Sequence, residues 1–236
     1  MRNWFIYNGV STKDFGVYIS GLNTYNAPER DVDVISVEGR NGDLLIDNGK
    51  FKNIDVTYPA FIYDRFDCNI EGFRNFLVNQ IGYKRLEDTY HPDEFRMARV
   101  KGGLNANVVD TLEAGEFDIT FDCKPQRFLK SGEHSIDYTE ASQIKNPTFN
   151  NAKPLLHVYG EGEFFIGDYA VEISAHSYPY MVIDCEMMDA FYETHNLNDK
   201  ISLGSKGFPQ IEAGVQGITM DNTITKIVLW PRWYIL

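Results

Sequence analysis

The stretch "EFDITFDCKP", Glu116 to Pro125, decides the fold class. Phe117, Ile119, Phe121 and Cys123 alternate with Asp118, Thr120 and Asp122, the period of two that sends successive side chains to opposite faces of a sheet. Pro125 lacks a backbone N–H and is expected to end the run. Upstream, Ile54, Val56 and Tyr58 alternate with Asp55 and Thr57 and predict a second half-buried strand. At the start of the chain, "WFIY" (4–7) and Asn8-Gly9 predict a strand and a turn, with "FGVYIS" (15–20) as the partner strand. The period becomes helical from Asn69 to Ile81, where Ile70, Phe73, Phe76, Leu77 and Ile81 recur at steps of three and four. One helix near 69–82 is expected, with Asn69 as its N-cap. Gly102-Gly103, within Arg99 to Asp110, predicts a turn between two short strands.

The segment "VEGRNGDLLIDNGKFKN", Val37 to Asn53, carries two Asn-Gly pairs seven positions apart. Both residues of such a pair tolerate positive φ, so the segment predicts a strand, a turn, a very short strand and a second turn. Its centre, Leu44-Leu45-Ile46, places apolar side chains on both faces of whatever strand it forms. A small hairpin tip has no core of its own to bury both faces. Either the tip folds back on its own domain, or something else covers it.

From Ser131 to Asn146 the sequence turns polar and leads into "NPTFNNAKP", which predicts a domain boundary near 145 and domains of 1–145 and 146–236. Beyond it, "LLHVYG", "FFIG", "AVEIS", "YMVIDC", "KISLG", "QGITM" and "TKIVLW" are short runs between turn residues, the pattern of an antiparallel sandwich or barrel. Pro231, between Trp230 and Trp233, suggests that the last strand is an edge or bulged strand.

The 236 residues carry a formal charge of −12. Since 17 basic and 23 acidic residues precede residue 146 and 5 and 11 follow it, the acidity is spread over both parts. That balance argues against gripping nucleic-acid phosphates, which takes clustered Lys and Arg. No stretch has the apolar core of a signal peptide or the length and hydropathy of a membrane span, so a cytoplasmically made protein is expected. Cys68, Cys123 and Cys185 form no C-x-x-C pair and suggest reduced, inert, mostly buried thiols.

No catalytic, cofactor-binding or metal-binding signature emerges. His91, His134, His157, His176 and His195 are scattered, and His91-Pro92-Asp93-Glu94 suggests an exposed turn. Gly160, Gly162 and Gly167 miss the dinucleotide spacing, and "GSKG" (204–207) has no nucleophile-elbow context. Asp184, Glu186 and Asp189 form the densest acidic group of the second part, which favours a solvated face over a calcium or sugar site. Tyr178, Tyr180, Trp230 and Trp233 suit a sandwich core better than a sugar-stacking platform.

The order of "FIYNG", "FGVYI", "VEGRNGDLLIDNGKFKNIDVTY", the helix, "EFDITFDCKPQRFL", "NPTFNNAKPLLHVYGEG", "MVIDCE", "FPQIEAGVQGIT" and "IVLWPRWYIL" resembles the distal tail protein family, the baseplate hub component of long-tailed, non-contractile bacteriophages. The resemblance spans nearly the whole chain. It implies a mainly β protein, with an N-terminal β-sandwich carrying one α-helix and a C-terminal galectin-like antiparallel β-sandwich. It also implies a structural, non-enzymatic virion component made in the host bacterial cytoplasm. That component is a homohexameric ring joining the major tail (tube) protein to the tail-tip protein, and in many members it positions receptor-binding proteins. Members that bind host sugars usually carry an inserted carbohydrate module, for which 236 residues leave no room.

Ring closure needs two different complementary surfaces on each subunit. Gly39, Arg40, Asn41, Gly42, Asp43, Leu44, Leu45 and Ile46 are the candidate interface residues, with the neighbouring subunit as the favoured cover for the apolar tip. The competing readings are a carbohydrate-binding adhesion module that recognises host glycans and, behind it, a glycosidase-like tail enzyme.

Overall fold

In a computed structural model of the chain, residues 2–21, 26–104, 106–109 and 114–236 are described, 106–109 as backbone only. Asn105 and Asp110 of the expected 99–110 segment lie outside the described residues. The chain divides into two compact units, residues 1–127 with 236, and 128–235.

The strands of the first unit are β1 (Phe5–Tyr7), β2 (Val10–Ser11), β3 (Tyr18–Ile19), β4 (Arg30–Ile35), β5 (Leu44–Phe51), β6 (Ile54–Ile62), β7 (Lys84–Asp88), β8 (Glu94–Lys101), β9 (Ala106–Val109) and β10 (Ala114–Leu129). One α-helix, α1 (Phe66–Val78), follows β6. The main sheet runs β2-β1-β7-β8-β10-β6-β3, with β9 also on β10, while β4 and β5 form a separate two-stranded ribbon. Asn8 and Gly9, both at positive φ, make the tight turn that pairs Tyr7 with Val10. The hairpin partner of β1 is therefore β2. "FGVYIS" is not that partner: Phe15 closes a 3-10 turn and β3 pairs with β6. Only a bridge from Asn3 to Ile19 returns the chain start to β3.

That bridge shows how the sheet makes two layers. β1 and β6 stand four places apart in the sheet, yet Phe5 of β1 stacks on Tyr58 of β6 at 5.4 Å and meets Phe121 of β10 edge-on at 5.4 Å. The sheet has curled until its faces enclose one core, and the sandwich layers come from a single sheet. The alternation expected for β6 and β10 is present: Val56, Tyr58, Phe117, Ile119, Phe121 and Cys123 are buried. β10 runs on through Pro125 to Leu129, because its pairing with β6 stops at Cys123, opposite Ile54, and the missing N–H breaks no bond of that ladder.

The helix begins three residues before the expected start. Phe66, Ile70, Phe73 and Leu77 form its buried stripe, whereas Ile81 lies beyond its end and is exposed. Asn69 does not cap it; its amide donates to the Asp64 carbonyl, and Arg65 occupies the N-cap position in a left-handed conformation. The signal for the true start is non-local. A Cβ on Gly115 of β10 would come within 2.3 Å of the Phe66 ring, so only glycine there admits that ring. Gly115→Ala is expected to lower stability by about 1–3 kcal/mol through overpacking, read as a drop in the thermal unfolding midpoint. Gly115→Ala with Phe66→Leu should recover part of that loss.

The second unit contains β11 (Ile136–Tyr138), β12 (Ser142–Asn146), β13 (Leu155–Gly160), β14 (Gly162–Ile166), β15 (Tyr169–Ile173), β16 (Met181–Asp184), β17 (Asp189–Tyr192), β18 (His195–Asn196), β19 (Ile201–Leu203), β20 (Gly214–Met220), β21 (Ile224–Trp230) and β22 (Tyr234–Ile235). β11-β21-β13-β16-β17-β18 form one antiparallel sheet and β12-β20-β14-β15-β19 the other. Leu156, Val158, Ile183 and Leu229 of the first sheet share one core with Phe164, Ile166, Val171 and Ile218 of the second. The unit is thus a two-sheet antiparallel sandwich. The polar segment 131–146 belongs to it, because β11 pairs with β21 and β12 with β20, so the division falls after Arg127 rather than near 145. β21 is an internal strand and not an edge, but its ladder with β13 is bulged, the register shifting between Tyr159 and Gly160, and Pro231 stands just past its end.

Candidate subunit-contact hairpin

The ribbon β4–β5 is held at its foot by charge. Arg30 contacts Asp47 at 2.8 Å, Lys50 contacts Asp31 at 3.2 Å and Lys52 lies 3.9 Å from Glu29, while the Arg30 guanidinium covers the Phe51 ring. Below the foot, Asn53 donates to Asp122 at 2.9 Å and to the Tyr83 hydroxyl at 2.6 Å, and Arg99 donates to the same carboxylate at 2.7 Å. Asp122 is consequently buried, though its alternation placed it on the outer face. Burial alone would raise its pKa, but the Arg99 and Asn53 donors outweigh that and hold it below the ordinary value.

Asn48-Gly49 is a bulge inside β5, not a second turn. Arg30 pairs with Phe51 and Val32 with Asp47, so β5 spends two extra residues there. Asp47 fixes it by accepting the Gly49 N–H at 2.9 Å, and Gly49 adopts φ +70. A side chain at that φ is strained, so Gly49→Val should cost the ribbon about 1–2 kcal/mol. Hydrogen exchange across Leu44–Phe51 should accelerate, while the thermal midpoint of the whole protein stays unchanged, because the ribbon belongs to neither core.

Above the foot the ribbon is apolar. Gly39 and Gly42 turn the chain at positive φ, with the Arg40 N–H donating to the Val37 carbonyl at 3.2 Å, and Asp43 leads into Leu44-Leu45-Ile46. Ile35 pairs with Leu44 and Asp33 with Ile46 on one face; Val34 pairs with Leu45 on the other. Leu45 is 64% exposed and Val34 60%, with Ile35, Val37, Leu44 and Ile46 also exposed. The eight candidate residues therefore sit together in one loop and strand start. Val34, Ile35 and Val37 complete the surface, and "VIS" beside the Val32/Val34 alternation was the signal that the sequence offered for them.

No family model matches the sequence, and no curated protein matches it. Solved structures match by shape. SPP1 Dit, described as a paradigm of the hub adsorption apparatus of phages infecting Gram-positive bacteria, aligns over 99% of each chain with a TM-score of 0.76 at 11% identity. The chain has the Dit fold. A chain of the phage P2 baseplate, in its activated conformation with Ca, covers 97% of each chain with a TM-score of 0.50 at 9% identity. The mainly β, one-helix architecture implied by the distal tail resemblance is the architecture observed.

Within this Dit fold the other candidate groups are occupied by structural work. Trp233 is 5% exposed and belongs to the core. His157 stacks on Tyr180 at 5.0 Å and meets Trp230 at 4.7 Å, and Tyr178 stacks on Tyr192 at 5.0 Å, so these rings face one another. Burial pushes the His157 pKa down and favours its neutral form. Cys123 and Cys185 are buried, and burial pushes the Cys123 thiol up to about 12. Cys68 departs from the inert-core expectation: it is exposed, on the α1 face away from the Phe66 stripe. His91 is half-buried beside Asp88 rather than in a fully exposed turn. No group of three metal-ligating side chains occurs among the described residues.

Of the acidic group 184–189, Glu186 is exposed as expected and Asp189 half-buried, but Asp184 leaves the solvated face. Asp184 is buried, takes a two-pronged contact from Arg232 at 2.8 and 3.0 Å, and accepts the N–H groups of Glu186 and Met187. Glu186 pairs with Lys153, and Asp189 accepts from Asn198. Burial pushes the Asp184 pKa up, but Arg232 and the backbone donors prevail and hold it below its ordinary value. Asp184→Asn should cost about 2–4 kcal/mol, tempered by the one-third exposure of Arg232. A depressed carboxylate pKa stabilises the fold above the unfolded value, near pH 4, and loses that contribution as pH falls through the folded value. The wild type should therefore lose stability below about pH 4 more steeply than Asp184→Asn in acid unfolding followed by tryptophan fluorescence.

Proposed function

We propose that this chain is a structural component of a bacteriophage tail tip, a hub whose copies close into a hexameric ring between the tail tube protein and the tail-tip protein. In this reading the first unit builds the ring and the second faces outward, where it positions receptor-binding proteins; the protein acts by assembly and not by catalysis. The observation that carries the proposal is the apolar ribbon tip. A two-stranded ribbon is marginal in water on its own, and this one exposes aliphatic side chains on both faces while its foot is tied firmly to the sheet. Agreement in fold with SPP1 Dit along the full chain supports the same reading.

Assembly also makes sense of the charge. Six copies multiply the net charge of −12, and acidic residues facing a ring channel let DNA pass without adhering. The ring itself is tested by Leu45→Asp with Ile46→Asp. Both positions are exposed, so the variant should fold with an unchanged thermal midpoint. Each contact should lose about 3–6 kcal/mol of apolar burial. Negative-stain microscopy and native mass measurement, on the protein alone and beside its tail partners, should show wild-type rings and variant monomers. Rings formed by the variant would return the tip to packing on its own chain.

A further inference from the structure

A ring contact needs a second surface, and the first unit has a matching one. Outside the ribbon, the exposed large apolar side chains among its described residues are Tyr63, Val78 and Ile81. Tyr63 is covered by Arg2, whose guanidinium lies 4.1 Å above the ring and donates to the hydroxyl. Val78 and Ile81 have no such cover and are 82% and 85% exposed.

They are also held rigidly. The Asn79 N–H and side-chain amide both donate to the Asn75 carbonyl, and the Gln80 amide donates to the Phe76 carbonyl. The Gln80 side-chain oxygen Oε1 in turn accepts from the Asn8 side-chain amide at 2.9 Å. Two aliphatic side chains on a fixed helix end make a preformed seat, since little ordering is required of it on binding.

Charge separates the two surfaces in the right sense. From Gly72 to Leu86 the chain contains Arg74, Lys84 and Arg85 and no carboxylate, and with Arg85 paired to Glu87 the positive character rests on Arg74 and Lys84. From Asp33 to Asp43 it contains Asp33, Glu38 and Asp43 against Arg40, Asp47 being paired with Arg30. Like surfaces repel and unlike ones attract, which favours head-to-tail over tip-to-tip contact.

Reach decides whose tip fills the seat. Tyr83, two residues after Ile81, receives a hydrogen bond from Asn53 at the ribbon foot. Leu45 lies several residues up an extended ribbon, roughly 20 Å from that foot. A chain's own tip leaves its own seat uncovered, since Val78 and Ile81 both stay exposed. We infer that the apolar tip of one copy, Val34, Ile35, Leu44, Leu45 and Ile46, docks on the Val78–Ile81 helix end of the next copy. This rests on the ring reading and names its second surface.

The test uses the full chain with Cys68→Ser, the exposed thiol removed. Leu45→Cys protein and Ile81→Cys protein are mixed and treated with a short bismaleimide. A covalent dimer should form in the mixture and not with either protein alone. In parallel, Val78→Asp with Ile81→Asp should abolish rings as fully as the tip variant, at unchanged thermal midpoint. Rings that survive this change, or a mixture that yields no dimer while the tip variant still abolishes rings, would overturn the seat and leave the ring reading standing. Rings unaffected by either variant would overturn both.

Discussion

The contact of Phe5 with Tyr58 and Phe121 is the constraint from which the rest of the first unit follows. It joins a strand near one side of the sheet to strands near the other and so commits the sheet to curl. Once curled, the sheet leaves one end of its core to be plugged. Phe66 and Phe73 of α1 do this, through Phe73 on Phe117 at 6.0 Å and Phe66 against the bare backbone of Gly115. Burying rings of this size contributes about 1.5–3 kcal/mol each, more than any exposed ion pair of the ribbon. A core enclosed in this way has no open face left for β4 and β5. The ribbon stands outside it because the sheet is complete without it.

The parts of this fold that were legible in the sequence are those in which one strand's own alternation carries the information. β6, β10 and most of the second unit's strands follow from period two and turn residues alone. What was hidden depends on residues far away in sequence. The helix start depends on Gly115, the continuation of β10 through Pro125 depends on where its pairing with β6 stops, and β11 and β12 become strands only by pairing with β21 and β20. Asp122 and Asp184 looked like solvent-facing acids because the arginines that bury them, Arg99 and Arg232, are 23 and 48 positions away. For the candidate surface, Leu44 to Ile46 stood out locally, while Val34 and Ile35 joined it only through the register of the ribbon.

The ribbon also keeps its exposed apolar tip apart from edges that resist addition of a strand. Its foot alternates charges across the strands and carries a bulge, both of which discourage addition of a further strand to its edges. Exposed pairs of this kind add little to stability, so their value lies in what they exclude. The apolar residues are kept for the tip, where they project from both faces. A partner gains affinity there by packing side chains and not by extending a ladder. That geometry suits a clasp around a neighbour better than growth of a continuous sheet.

The same economy bears on why the tip and the helix end are kept apart in one chain. Were they close enough to meet, the ribbon would fold down and satisfy itself, and the free protein would present no adhesive surface. The foot is anchored through Asn53, Asp122 and Tyr83, and the tip and the helix end both stay uncovered within the chain. The acidic charge of the whole chain opposes indiscriminate association, and the basic helix end locally reverses it. In the proposed ring, a head-to-tail contact of these unlike surfaces would be satisfied in every copy at once by closure through rotation.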